Sequence, residues 1–451
     1  MIRTTILAIF IQMALAVKVF ALNGAIGIHD PSTVIKCDGD YYVFGTGHGL
    51  SYLISSNGFD WQRGGRVFDR IPESVKSYVP LNDGSGVWAP DVIKVGDQYF
   101  VYYAVSKWGS YVSAVGLMSS PTLNTNSPDC KWKDGGMVAH SSEGEDLNAI
   151  DPGACLAPDG TLWLCYGSYH GNIELVQLDP QTGQRIATNS PVTIVANESE
   201  ASDIMYHDGW FYLFVNHGSC CQGASSTYNI RVGRAHKITG PYFDKDGQPM
   251  TVGGGTLFLA ANGNDVGPGH FGLLKDDGVE KFSCHYEAVL GRQGRSVLDI
   301  RPLLWTLDGW PMPGENVRDG TYQIRSLRTG TILEAFGQTN SNEPVVQTGR
   351  YLIHDNQKWN ITPAGNGFYK IINGQETNAL TRIDSTVGLT PFTRAEDQLW
   401  KIDQFSDGTY RIKSIEGDFV LTALINQKPD NGIALEKFDR NEAQHWVIAE
   451  P

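Results

Sequence analysis

Three short acidic motifs are spread along the first half of the chain: His29-Asp30-Pro31, Ile150-Asp151-Pro152 and Glu200-Ala201-Ser202. Ala89-Pro90-Asp91 and Gly269-His270-Phe271 complete a series of five. A single Asp-Pro step is ordinary turn chemistry. Three carboxyl groups gathered in one place behave differently, because neighbouring carboxylates cannot all ionise freely. One then keeps its proton while another stays charged, the division of labour that cleavage of a glycosidic bond needs. Together with His270 the same acids could instead hold calcium or a transition metal. Glu198 is a rival to Glu200 but falls outside the common register.

These residues are far apart in sequence, so a repeated element must bring them together. Just downstream of each motif comes a turn with Asp or Gly, then a run of aromatic and β-branched residues. The runs are DGDYYVFGTG from Asp38, VGDQYFVYYAVS from Val95, DGTLWLCYGSY from Asp159, HDGWFYLFVNHG from His207 and DDGVEKFSCHYEA from Asp276. Each reads as a β-hairpin. Their spacing of roughly 50 to 70 residues suits a four-stranded propeller blade and is too long and even for a sandwich. The expected fold is all-β: a five-bladed β-propeller over residues 22–317 followed by a second unit over 318–451. In a propeller the innermost strands line the channel, so the motifs that open them should meet at one mouth.

Composition agrees with many short strands: 51 glycines, 11% aromatic and only 19% charged residues. A formal charge of −14 without a basic run argues against nucleic acid, whose binding rests on clustered Lys and Arg. Residues 1–21 pair Arg3 with an apolar stretch and small residues, as a secretory signal peptide does, so a secreted or periplasmic location is expected. No other apolar run approaches the roughly 20 residues a membrane span needs. The seven cysteines form no CxxC pair and no zinc spacing. Cys220 and Cys221 are adjacent, and two free buried thiols are the expectation there. No organic cofactor is implied, and a monomer is expected.

After Trp310-Pro311-Met312-Pro313-Gly314 the pattern changes. Three segments end alike, in Gln357-Lys358-Trp359, Gln398-Leu399-Trp400 and Gln444-His445-Trp446, about 40 to 46 residues apart. This triplication describes a β-trefoil resembling the ricin-type sugar-binding modules, with the three tryptophans in its core. The aspartate that such modules place early in each repeat has Glu334, Arg382 and Thr422 as its nearest equivalents here. A carbohydrate-binding role therefore rests on fold analogy, against a role as spacer or interdomain brace.

The first three hundred residues resemble family 43 of the glycoside hydrolases, and within it the arabinan-degrading enzymes. The resemblance is carried by HDPS at His29, WAPDV at Trp88, VSAVGLMSSPTL at Val112, NAIDPG at Asn148, SEAS at Ser199 and CCQG at Cys220. It continues through STYNIRVGRAHKITGPY at Ser226, GPGH at Gly267 and DIRPLLWTLDGWP at Asp299. It implies an inverting hydrolase of α-1,5-linked arabinofuranosyl chains, with a plant polysaccharide as partner. Asp30 would be the general base, Glu200 the general acid, and Asp151 the residue that orients Glu200 and tunes its pKa.

Trp88, Trp108, Gly109, Asn148, Ser168 and Tyr169 match substrate-binding positions. The two tryptophans either face a furanose ring or pack between blades. His270 matches the residue that holds a calcium through waters in many relatives; alternatively it only keeps Asp30 or Asp151 charged. FSCHYEA departs from the family pattern after GPGH. Other readings are an exo-acting arabinofuranosidase, galactofuranosidase or β-xylosidase, with residues 69–83 and the altered last blade blocking one side of the pocket. A non-catalytic polysaccharide-binding protein is the reading of another class.

Overall fold

A computed structural model describes residues 22–84, 86–187, 192–337, 344–374, 378–424 and 432–451. Residues 1–21, where a signal peptide is expected, lie outside the described residues. Residues 35–313 form five antiparallel sheets, each a four-stranded meander in chain order. Blade I holds Ile35–Cys37, Asp40–Phe44, Ser51–Ser55 and Asp60–Arg66. Blade II holds Trp88–Val95, Gln98–Val105, Ser113–Ser120 and Lys133–Ser141. Blade III holds Gly153–Leu156, Leu162–Gly167, Asn172–Leu178 and Thr193–Asn197. Blade IV holds Glu200–His207, Trp210–His217, Asn229–Ala235 and Thr256–Leu259. Blade V holds Asp265–Asp276, Val279–Val289, Arg295–Trp305 and Pro311–Pro313.

The period-2 alternation of the second strands explains the ring. Side chains of a strand point alternately to its two faces, and in a propeller both faces are covered by neighbouring blades. Tyr99, Val101, Tyr103 and Val105 pack with blade I, while Phe100 and Tyr102 pack with blade III. Four apolar clusters join blades I to V in sequence. A fifth closes the ring by packing Tyr41, Val43 and Trp61 against Leu274, Tyr286 and Leu298. Chain ends reinforce this seam. Asn23–Gly24 pairs in parallel with Asp60 and Trp61, and the Leu298 amide donates to the Ile26 carbonyl at 2.8 Å.

The C-terminal unit is a twelve-stranded β-trefoil running from Gly320 to Ala449. Its three Gln-x-Trp copies do the same work three times. Trp359, Trp400 and Trp446 are fully buried and donate their indole N–H to the carbonyls of Leu333, Leu380 and Leu421. Gln357, Gln398 and Gln444 each close a turn, accepting from the amides of Leu352, Thr393 and Asp439 and donating to the carbonyls of Arg350, Pro391 and Lys437. Among the described residues no helix is long and apolar enough to cross a membrane.

Candidate active site

Each blade opens its innermost strand with one non-glycine residue in the left-handed region: Asp30 (φ 48°), Ala89 (38°), Asp151 (54°), Ala201 (52°) and His270 (58°). This conformation is uncommon for such residues and tends to mark functional positions. In blades II, IV and V the ladder slips at the same point, between Trp88 and Asp91, Glu200 and Asp203, and Gly269 and Gly272. A bulge of this kind re-aims side chains.

The fivefold pattern corrects the sequence alignment of the motifs. In blade II the matching triplet is Trp88-Ala89-Pro90, not Ala89-Pro90-Asp91. Asp91 is buried two residues further on, where it accepts from the amides of Thr33 and Ala154 and so ties blade II to blades I and III. Glu200 sits one place ahead of Asp30, Asp151 and His270, at the position held by His29, Trp88, Ile150 and Gly269 in the other blades.

The openings converge on a cavity of about 610 Å3. Asp30, Asp151 and Glu200 line it, together with Trp88, Trp108, Gly109, Asn148, Ser168 and Tyr169. His270 stands behind them, its Nδ1 3.4 Å from an Asp30 oxygen. The sequence therefore named nine wall residues and one supporting residue, and the fold brings all ten together.

The three acids are not electrically equivalent. Burial alone would raise Asp30, but the imidazoles of His29 and His270 offset it and hold the carboxyl well below the usual range. His29 Nδ1 lies 2.9 Å from Asp30 Oδ2, and Thr46 Oγ1 donates to the same oxygen at 2.6 Å. Glu200 is pushed up to about 8, first by burial and then by the charge of Asp151. Its Oε1 accepts from the Tyr228 hydroxyl at 2.9 Å. Asp151 is itself raised to about 7, mainly by burial, and its Oδ2 accepts from the Ala201 amide at 3.1 Å. Asp151 thus holds the backbone next to Glu200. The pocket carries one carboxyl kept charged and another kept protonated at neutral pH.

His29, Thr46, Tyr228 and Glu287 were not singled out from sequence. His29 could have been, since it precedes the acid in the motif; Tyr228 lies within the STYNIRV match. Two glycines of GPGH make room for these partners. A Cβ on Gly269 would collide with the Tyr228 ring, and one on Gly267 would collide with Ser226 and crowd Glu287.

The substrate positions divide into free and occupied groups. Trp108 is 76% exposed, which excludes packing between blades; its ring centroid lies 6.4 Å from that of half-buried Trp88. Asn148 accepts from Ser113 Oγ at 2.6 Å and donates to Ser168 Oγ at 3.1 Å, so it also positions Ser168. The Tyr169 hydroxyl donates to the Asn216 carbonyl, leaving the ring to face the cavity.

Three expectations need correction. Cys220 and Cys221 are not buried thiols. Cys220 is half-buried and Cys221 exposed, in a turn that lines the cavity, with their sulfurs 2.6 Å apart. Residues 69–83 contribute nothing to the cavity wall among the described residues; instead Val75 and Val79 pack into the core between blades I and II. The last blade likewise contributes no wall residue, acting through His270 and Glu287 from behind. In the trefoil, Glu334 accepts from Gln347 and Gln357, Arg382 pairs with Glu416, and Thr422 is buried and donates to the Val420 carbonyl. These three side chains serve the trefoil's own structure.

For a cation, His270 offers a buried imidazole beside a cluster of acids, its Nδ1 facing Asp30 at 3.4 Å. Calcium prefers six to eight oxygen ligands. Among the described residues no direct cage is assembled around His270, so an ion there fits only if water supplies most of its shell.

Residues 25–311 match the model of glycosyl hydrolases family 43. The chain belongs to glycoside hydrolase family 43. Residues 304–388 match the ricin-type β-trefoil lectin domain-like model. Similar to this family 43 glycosidase are an extracellular endo-α-(1→5)-L-arabinanase of Bacillus subtilis and an extracellular exo-α-(1→5)-L-arabinofuranosidase of Cellvibrio japonicus. The first is 37% identical over 63% of this chain and 87% of the relative. The second is 35% identical over 65% and 88%. Among solved structures, an exo-1,5-α-L-arabinanase from a bovine ruminal metagenomic library aligns with a TM-score of 0.61 at 35% identity. That alignment covers 66% of this chain and all of the neighbour.

Proposed function

We propose that this family 43 enzyme hydrolyses α-1,5-linked L-arabinofuranosyl chains of plant arabinan with inversion at the anomeric carbon. The observation that carries the reading is the opposed ionisation of Asp30 and Glu200 in one pocket. Asp30, held as a carboxylate by His29 and His270, takes a proton from water on one face of the sugar. Glu200, held protonated, gives its proton to the leaving oxygen on the other face. The water's oxygen becomes the new anomeric hydroxyl, and bulk solvent later restores both groups. Asp151 positions Glu200 through the Ala201 amide and raises its pKa by its own charge. Inversion needs a gap of roughly 6.5–9.5 Å between base and acid to admit the water. Trp108 offers an apolar face to a furanose ring at the rim.

The family 43 match and the endo-acting and exo-acting relatives support this substrate class. Incubation with linear arabinan tests it. A ladder of oligosaccharides is expected, and release of arabinose alone would assign exo action instead. No product from linear or branched arabinan would overturn the substrate. Binding to arabinan without hydrolysis would leave the protein a lectin-like binder.

A calcium held by water against His270 would add positive charge behind Asp30 and brace the channel. Chelator dialysis should then lower the melting temperature, with recovery on adding calcium. Export follows from the leader-like residues 1–21 and accords with the extracellular relatives.

A further inference from the structure

Beside the catalytic acids, the edge of the pocket holds a second cluster of reactive side chains, of which the hydrolytic reading uses only His29. It centres on Glu287, in the FSCHYEA segment that departs from the family pattern. Glu287 Oε1 accepts from the Cys221 amide at 2.9 Å and lies 3.3 Å from His29 Nε2. It is also 3.6 Å from His285 Nε2. One nitrogen of His29, the Cys221 sulfur and one oxygen of Glu287 all lie within 4.8 Å of one another.

We propose that His29, Cys221 and Glu287 form a binding site for a soft divalent transition metal, of which zinc is the type, at the edge of the catalytic pocket.

The donor chemistry selects this class of ion. Imidazole, thiolate and carboxylate together are zinc ligands, whereas calcium takes oxygen alone. The spacing agrees: two ligands about 2.0 Å from a tetrahedral ion lie about 3.3 Å apart, the separation of His29 Nε2 from Glu287 Oε1. Zinc-binding histidines as a rule pass their other N–H to a carboxylate, which fixes the tautomer. His29 Nδ1 does so, 2.9 Å from Asp30 Oδ2.

An independent observation comes from His285. It is completely buried, its Nδ1 has no hydrogen-bond partner, its Nε2 has only Glu287 at 3.6 Å, and its ring lies 4.4 Å from that of His29. A buried imidazole with an unsatisfied ring nitrogen is costly unless something is to be bound. It faces the cluster through Glu287. Cys221 and the half-exposed His29 both line the cavity, which gives an ion an entry path and leaves a coordination position open to water.

This site is separate from the water-held calcium at His270 and does not depend on the arabinan assignment. The test uses the full-length protein, reduced with a phosphine that does not bind metal, stripped with chelator, and dialysed against zinc. About one zinc per chain should remain, and Cys221→Ser and Glu287→Gln should each weaken binding by about 100-fold or more. Cobalt in place of zinc should give a thiolate-to-metal charge-transfer band in the parent protein that is missing from Cys221→Ser. Cys221 is exposed, so that variant keeps the test sound should Glu287→Gln fold poorly. Failure of the reduced protein to retain zinc, or unchanged retention in both variants, overturns the site. Retention without the cobalt charge-transfer band overturns Cys221 as a ligand.

Discussion

The strand Asp265–Asp276 passes two buried carboxylate clusters, one at its middle whose Asp151 and Glu200 are driven toward the protonated form and one at its end whose acids are held charged. At its middle, His270 backs the trio Asp30, Asp151 and Glu200. At its end, Asp276 and the following Asp277 face the trefoil. His270 and Asp276 are six residues apart, roughly 20 Å of extended chain. At the pocket, Glu200 and Asp151 are raised by burial and by neighbouring carboxylates. At the seam, burial acts in the same direction on Asp276 and Asp403 but is outweighed. The Tyr41 hydroxyl, Lys401 and Lys36 hold Asp276 down, and Lys281, Lys401 and Arg411 hold Asp403 far below the usual range. Burial is common to both clusters. What differs is the sign of the neighbours, and that sign decides whether a buried acid is a proton donor or a structural anion.

The largest effect should come from removing the donor. Glu200→Gln keeps the size and the hydrogen bond from Tyr228 but has no proton to give. Turnover on arabinan should fall by about 10²- to 10⁴-fold, the usual worth of a general acid, while the unfolding midpoint stays within error. A near-normal rate would mean that the raised pKa of Glu200 has no catalytic purpose.

The seam should show the inverse behaviour. Arg411 is fully buried and donates to Asp403 at 2.7 Å, and Lys281 of blade V reaches the same carboxylate at 3.4 Å. Asp403→Ala leaves both cations without their main partner, a change that typically costs about 3–5 kcal/mol. Chemical denaturation should record that loss, while kcat of the folded protein is unchanged because no seam residue lines the pocket. Loss of turnover with normal stability would contradict the separation of the two regions.

Legibility followed the repeats. The blades could be read from sequence because every second strand alternates faces, as in Tyr99 to Val105, and because both faces need apolar cover. The trefoil was equally open, since each Gln-x-Trp unit uses its glutamine for a turn and its tryptophan for the core. Within the site, residues at strand openings were legible by register, although Asp91 imitated an acid motif one place out of step. The partners that set the charges were less so. Glu287 enters from late in the second strand of blade V, and Tyr228 from just before the third strand of blade IV, where no repeat marks them. The turn of Cys220 and Cys221 was misjudged because adjacency in sequence says nothing about which surface a loop covers.

The smallest effect would sharpen the comparison most. Asp151→Asn retains an oxygen to accept from the Ala201 amide, so Glu200 should stay in place while the neighbouring negative charge disappears. Glu200 titrates near 8 partly because Asp151 resists a second charge beside it. With that charge gone the proton on Glu200 is held less tightly, and its pKa falls. The acid must be protonated to act, so the alkaline limb of kcat/KM against pH should move to lower pH, by on the order of one unit. The acid limb, set by Asp30 between His29 and His270, should move far less. At pH 6 the variant would then be closer to the parent than at pH 8. An alkaline limb that stays put would mean that burial alone raises Glu200, and that the sign of its neighbour matters less in the pocket than at the seam.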